Sequence, residues 1–349
     1  MDAQPAVDAC PLAAAPACTR WPIRIRSGKC RRAGARRGAP TRGWTLVELL
    51  LATALGLLLT LLASSLLLAA AGNYRHHAES ALLDDGARYA LDIMAQAIRQ
   101  GGYANWDSEA APVAIDAATA AHVGGWDASS LGKNSDGIED PLPAVANGSD
   151  VLAVRFSGHG PGASGDGSSI HCGGFGVAAP VDDDALGWSI FYVALSDTGQ
   201  AELRCKYRSN SGWGADAIVQ GVESFQVLYG LDTDLPADGV PNLYVTATAI
   251  RALDAAPVLA GATPQALHHD FHRRTHWKRV CTIRLALLPH GEHGTRADTA
   301  AMRFDLFGPD YANGADSGSR ILEAEIPEAE RWRARRLVGL TVALRNRSG

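Results

Sequence analysis

The sequence predicts an α+β fold in which one long N-terminal helix packs on an antiparallel β-sheet domain. Three observations predict it. From Leu49 to Ala71 there is no charged residue, a run long enough to cross a bilayer as a helix, which takes about 20 apolar residues. From Asn73 to Gln100, Leu82, Leu83, Gly86, Ala90, Ile93, Met94, Ala97 and Ile98 recur at i, i+3, i+4 and i+7, the period of one helical face. Beyond residue 150, short segments with strand character outnumber helical ones, the pattern of an antiparallel sheet rather than alternating β and α units.

Residues 1–43 read as a basic cytoplasmic leader that is removed. They hold Arg20, Arg24, Arg26, Lys29, Arg31, Arg32, Arg36, Arg37 and Arg42 against only Asp2 and Asp8. Positive charge just before a span keeps that flank in the cytoplasm, so the C-terminal bulk is expected across the inner membrane, in the periplasm. The 349-residue chain carries a net charge of −5 with this leader included, so the remainder is strongly acidic. An acidic domain argues against direct contact with nucleic acid, whose affinity comes from cations on phosphates.

Residues 44–72 form the membrane half of the helix. At its edge stands Arg42-Gly43-Trp44-Thr45-Leu46-Val47-Glu48. A carboxylate at the edge of an apolar span is costly, on the order of a few kcal/mol on insertion scales, and so calls for a partner. Residues 73–102 form the amphipathic half, with Asp84, Asp85, Arg88, Asp92, Gln96 and Arg99 on its other faces and Gly101-Gly102 as its stop. No proline interrupts Trp44 to Ala111, so the two halves read as one helix.

Residues 103–149 are rich in Ala, Gly, Asp, Ser and Asn and read as a variable loop region with small pieces of structure. Residues 150–349 form the β-rich domain. Its strands are expected at Val151–Phe156, Trp188–Leu195, Ala201–Tyr207, Ser224–Tyr229, Leu243–Ala249, Val280–Leu288 and Leu337–Leu344. In Val280–Leu285, Cys281, Ile283 and Leu285 share one face, and Asp197-Thr198-Gly199 makes a hairpin turn.

Cys10, Cys18 and Cys30 fall in the leader, leaving Cys172, Cys205 and Cys281 for an oxidising compartment. Cys172 and Cys205, at the edges of a predicted hairpin, are the expected disulfide; Cys205–Cys281 stands as the alternative pairing.

The motifs with metal chemistry read as ordinary surface. Asp232, Asp234 and Asp238-Gly239 have the oxygen-rich composition of a calcium loop. They lack the alternating acidic ladder and terminal Glu of an EF-hand, so a solvated turn is expected. His268, His272 and His276 are spaced i, i+4, i+8 beside His269, and Arg273, Arg274 and Lys278 disfavour a cation among them. Asp182-Asp183-Asp184 is expected as an exposed turn. No nucleophile elbow or phosphate-binding lysine loop occurs in strand–helix context. Neither a cofactor nor an enzyme is expected.

Gly43-Trp44-Thr45-Leu46-Val47-Glu48, followed by an apolar run and preceded by a basic leader, resembles the processing site of type IV prepilins. The resemblance implies that a prepilin peptidase cuts between Gly43 and Trp44 and methylates the new amine. It also implies that Glu48 is the recognition carboxylate, which later pairs with the terminal amine of a neighbouring subunit. Trp44 stands where the family usually carries Phe or Met.

A second set of segments is similar to PilW, a minor-pilin family of type IV pili. They are Gly86–Ala90, Ile98–Tyr103, Gly148–Leu152, Gly221–Gly230, the acidic loop Asp232–Asn242 with Leu243-Tyr244-Val245, Trp277–Val280 and Thr341–Arg347. Membership implies a pilin-like fold and a structural role in priming pilus assembly, with twitching motility, adhesion or DNA uptake downstream. The implied partners are the peptidase, other minor pilins, the major pilin and a large tip adhesin. The rival readings are a J-type pseudopilin of type II secretion, a signal-anchored periplasmic enzyme, and a secreted binding module cut after Ala71.

Overall fold

The computed structural model describes residues 43–105, 119–182, 185–293, 296, 300–311 and 315–346. The expected leader, Asp183 and Asp184 lie outside the described residues. The chain divides into two units, Met1–Leu62 and Ala63–Gly349. In the first, the described residues turn helical at Leu46 and are all solvent-exposed. This helix, α1, is recorded as Leu46–Gln100, 55 residues, as the absence of proline predicts.

Within the second unit, α1 buries Ala87, Ala90, Met94, Ala95, Ala97 and Ile98, the stripe read from the sequence. It ends where Gly102 adopts φ +69°, a conformation that glycine enters without a Cβ penalty. A Cβ there would also fall 2.1 Å from the Asn346 carbonyl oxygen, so the glycine serves both the turn and the close approach of the C-terminal segment.

Two antiparallel sheets follow. The first has the order β1 (Val123–Trp126), β4 (Val151–Phe156), β5 (Gly187–Leu195), β6 (Ala201–Ser209), β7 (Gly212–Gln220). In the second, β8 (Val222–Leu231) lies between β9 (Leu243–Val245) and β10 (Val280–His293), and β10 also pairs with β13 (Arg333–Arg335) and β14 (Val338–Ala343). Two-stranded ribbons β2–β3 (Ser129–Leu131, Pro141–Pro143) and β11–β12 (Arg303–Asp305, Arg320–Leu322) complete the strands.

Alternation sorts the side chains. Met94 and Ile98 of α1 meet Leu152, Val154, Phe191, Val193 and Leu203 of the first sheet and Val227, Tyr229, Ile283 and Leu285 of the second in one core. The residues between them are buried as well. Leu228, Ala286 and Leu288 pack under Phe304, Leu306, Phe307 and Ile321, while Val151, Ala153, Ile190 and Tyr192 pack under Leu131. Both sheets are therefore covered on both faces, which is why β4 and β8 are apolar or buried throughout rather than alternating with solvent.

The differences from the sequence reading have local causes. Region 103–149 supplies β1, β2 and β3, and so covers part of the first sheet instead of only looping past it. The expected strand Leu243–Ala249 stops at Val245 because Thr246 caps a helix, α2 (Ala247–Ala255). The Asp127 carboxylate reinforces that cap, accepting from the N–H groups of Ala247 (2.9 Å) and Thr248 (2.6 Å). Strand β7 is a partner the sequence does not announce: Trp-Gly-Ala-Asp-Ala is too small and polar to read as a strand, and pairing with β6 makes it one.

Candidate assembly site at the start of the helix

Helix α1 begins with a reciprocal cap. The Thr45 N–H and hydroxyl both donate to Glu48 Oε2, at 2.9 and 3.1 Å, and the Glu48 N–H approaches Thr45 Oγ1 at 3.3 Å. Thr-x-x-Glu at N-cap and N3 is a capping box, which satisfies backbone donors that the first helical turn leaves orphaned. A negative charge there also faces the positive end of the helix dipole. The sequence reading placed Glu48 by its distance from Gly43 and missed this second bond set, although Thr45 three residues upstream was the signal. Oε1 of Glu48 accepts no hydrogen bond among the described residues.

Around this cap the chain offers little else to itself. Trp44 is 82% exposed, and no described heavy atom lies within 4 Å of a Cβ built on Gly43. Nothing within the described residues therefore demands glycine at position 43. The following helix reaches a mean hydropathy of 2.3 over its best 18-residue window, with none of that window buried. Two of its hydroxyls are closed on the backbone: Thr53 donates to the Leu50 carbonyl (3.0 Å) and Thr60 to that of Leu57 (2.8 Å). Such back-bonding is what lets a hydroxyl sit in an apolar helix without an unsatisfied polar group.

In the second unit, Cys172 and Cys205 form the disulfide, with Cα atoms 5.9 Å apart. It ties the loop after β4 to β6. Cys281 is buried on β10, with its Sγ 3.5 Å from the Gly230 carbonyl oxygen.

The carboxylates of Asp232, Asp234 and Asp238 do converge, to within 4.8 Å of one another. The expectation of a solvated turn fails for Asp232, which is buried and accepts from the N–H groups of Asp234 (3.2 Å) and Gly239 (2.5 Å). That carboxylate shapes the loop. The histidine series is also broken. His268 and His272 meet on helix α3 (Pro264–Arg274), whereas His276 lies beyond it and bonds Asp254 at 2.7 Å.

Sequence reasoning also missed two buried cations. Lys206 is fully buried and donates to the carbonyls of Gly132 and Gly137 and to Ser135. Burial pulls its pKa down to about 8, against the opposing pull of Asp136 and Asp140. Arg335 on β13 spans Glu223 of β8 and Glu323. No local pattern could have shown either, because the partners are far away in the chain.

Residues 190–346 match the family model described as Type IV Pilus-assembly protein W, and no curated protein matches the chain. Among solved structures, the chain is similar to a type IV-like pilin from Thermus thermophilus, at 15% identity and TM-score 0.34, covering 76% of this chain and 98% of that one. A likeness of that size carries no argument here. The family match points to a structural, non-enzymatic protein, and with the unburied apolar helix to a membrane-anchored, pilus-associated one. The match runs from β5 through β14 and covers most of both sheets, and over these residues the chain is similar to the PilW family of type IV pilus-assembly proteins.

Proposed function

We propose that the chain is a prepilin, cut between Gly43 and Trp44 by a prepilin peptidase, and that Glu48 then guides its helix into a pilus. The observation that carries this reading is the half-used carboxylate of Glu48. One oxygen is committed to Thr45, and the other has no partner among the described residues. Cleavage after Gly43 creates an ammonium group one residue before Thr45. A neighbouring subunit's ammonium can reach Oε1 without dismantling the cap. In a bilayer, such pairing relieves a charge that is costly alone.

The open space at Gly43 supports recognition from outside the chain as the reason for glycine there. On this reading the protein crosses the inner membrane once, with its β-rich unit in the periplasm, and enters the pilus. Its partners are the peptidase, the other minor pilins, the major pilin and a large tip adhesin. Priming of assembly then underlies twitching motility, adhesion or DNA uptake.

The test is the intact mass of the N-terminus of membrane-extracted protein, from cells with and without an active prepilin peptidase. A terminus at Trp44 that depends on the peptidase, with or without an added methyl group, is the expected result. A terminus at Met1 or at Gly72 overturns it.

A further inference from the structure

Helix α3 holds a feature outside the proposed assembly site. Its start is fixed by Thr263, whose side chain accepts from the Ala266 N–H at 3.2 Å, with Pro264 at the first helical position. Four residues apart on this helix, the Nε2 atoms of His268 and His272 stand 3.0 Å from each other. Their rings meet edge-on, with centroids 4.2 Å apart at 78°. Phe271 packs against His272 at 5.3 Å, and His268 is open to solvent.

We propose that His268 and His272 are a bidentate site for a first-row transition dication, with Cu2+ the tightest ligand. The distance argues for it. At a metal–nitrogen length of about 2.05 Å, two imidazole nitrogens lie about 2.9 Å apart on adjacent corners of a square and about 3.3 Å apart in a tetrahedron. The observed 3.0 Å falls between those values. The two nitrogens therefore already stand at a chelating separation, and rotation of the rings about their own side-chain bonds would aim both lone pairs at one cation. The imidazole that donates the bridging proton moves it to its own Nδ1, the other already carries its proton on Nδ1, and both then present an Nε2 lone pair. No proton is lost from the pair, and the metal exchanges two bound waters for two nitrogens.

Imidazole selects copper, nickel and zinc over calcium or magnesium, and copper heads the affinity order. His272 lies in the last turn of the helix, where the dipole favours positive charge. The basic neighbours oppose binding less than the sequence implies. Arg274 is engaged with Asp270 at 3.1 Å, and Arg273 is exposed, where water and salt screen it.

The test titrates Cu2+ into chelator-stripped full-length protein in detergent micelles, read by electron paramagnetic resonance and calorimetry. The wild type is expected to show a site with superhyperfine coupling to two imidazole nitrogens. His268→Ala or His272→Ala is expected to weaken that site about a hundredfold, the loss of a chelate partner, while His269→Ala leaves it unchanged. Both target positions lie on a helix where alanine is a strong former. The pair His268→Gln and His272→Gln repeats the comparison if an alanine variant loses its thermal transition. Equal stoichiometry and affinity in the wild type and the double variant overturns the proposal, as does nitrogen coupling that persists without both histidines.

Discussion

Replacing Arg335 tests the reading of the second sheet most sharply. Its side chain is 1% exposed, and each of its donors is used. Nε and Nη2 bond Glu223 Oε1 at 3.0 and 2.7 Å, and Nη2 also reaches the Glu330 carbonyl at 2.8 Å. Nη1 reaches Glu323 Oε1 at 3.2 Å and the carbonyls of Arg331 and Arg333 at 3.0 and 3.2 Å. Arg335→Met keeps most of the volume but removes the charge. Glu323 retains Arg296, whereas Glu223 is left buried with, among the described residues, the Asn147 amide at 3.2 Å on its side chain. Removing one partner of a buried ion pair costs about 3–5 kcal/mol, most of it the orphaned charge. Glu223→Gln in the Arg335→Met background removes that charge, so the double variant should recover about 2 kcal/mol relative to the sum of the single losses. Guanidinium unfolding followed by tryptophan fluorescence measures all four proteins. A loss below about 1 kcal/mol for Arg335→Met, or strict additivity in the double variant, refutes the account of this network as a buried and mutually dependent one.

Other consequences can be read with ordinary assays. Breaking the Cys172–Cys205 bond, whose ends are 33 residues apart, should cost about 3–4 kcal/mol by loop-closure entropy, seen as a lower midpoint in Cys172→Ser/Cys205→Ser; an unchanged midpoint rejects it. His171 stacks on Tyr207 at 4.3 Å, and burial pushes its pKa down to about 4, against a weaker upward pull from Asp216. The unfolded chain therefore takes up a proton between pH 6.5 and 4 that the folded one refuses. This contribution is whole above pH 6.5 and lost as pH falls toward 4, and His171→Gln should flatten the acid limb of the melting profile. Asp316 runs the other way. Burial lifts its pKa to about 6, with the Tyr311 hydroxyl opposing and Asp127 adding, so its contribution is whole below pH 3.8 and lost as pH rises through 6. Asp316→Asn should consequently make the acid limb steeper. At the helix start, Thr45→Ala should cost about 1 kcal/mol of cap, visible as faster hydrogen exchange in the first turn, and should lower pilus incorporation below that of Thr45→Ser. Glu48→Ala should leave the protein in the membrane but absent from sheared pili; equal incorporation of Glu48→Ala and wild type would remove the pairing role.

What the sequence made legible, and what it hid, follows from how far apart the partners are. The buried face of α1, the stop at Gly101-Gly102 and most strands rest on neighbours within a few residues, so periodicity and turn chemistry reach them. The cap at Thr246 was equally local but was overridden by the β-branched run Tyr244-Val245-Thr246, which reads as strand until Asp127 is seen to hold the helix N-terminus. The disulfide was legible because three cysteines outside the leader leave few pairings. Arg335 was not: its bond to Glu223 joins residues 112 apart, and no pattern in a window reveals a cation that will be buried. The same holds for the doubled coverage of the sheets, which depends on Leu131, Phe304, Leu306, Phe307 and Ile321 packing over strands that are already paired.

Glu48 stands at the meeting of the two regimes. Its bond to Thr45 is as local as any in the chain, while its second oxygen accepts no hydrogen bond within the described residues and Trp44 beside it is exposed. A single carboxylate can meet both demands only because they fall on different oxygens. The cap holds Oε2 on Thr45 and so orients Oε1 before any partner arrives. Pre-orientation of this kind removes part of the ordering cost of association. It also predicts an asymmetry between two substitutions that a simple charge argument treats alike. Glu48→Asp keeps the charge but shortens the reach, so it should lose the cap to Thr45 and with it the aim of the second oxygen. Incorporation into pili should then fall well below that of Thr45→Ser, which keeps the hydroxyl and the cap. Equal incorporation of the two variants in a shearing assay, at matched membrane levels, would mean that the charge alone matters and that the cap plays no part in assembly.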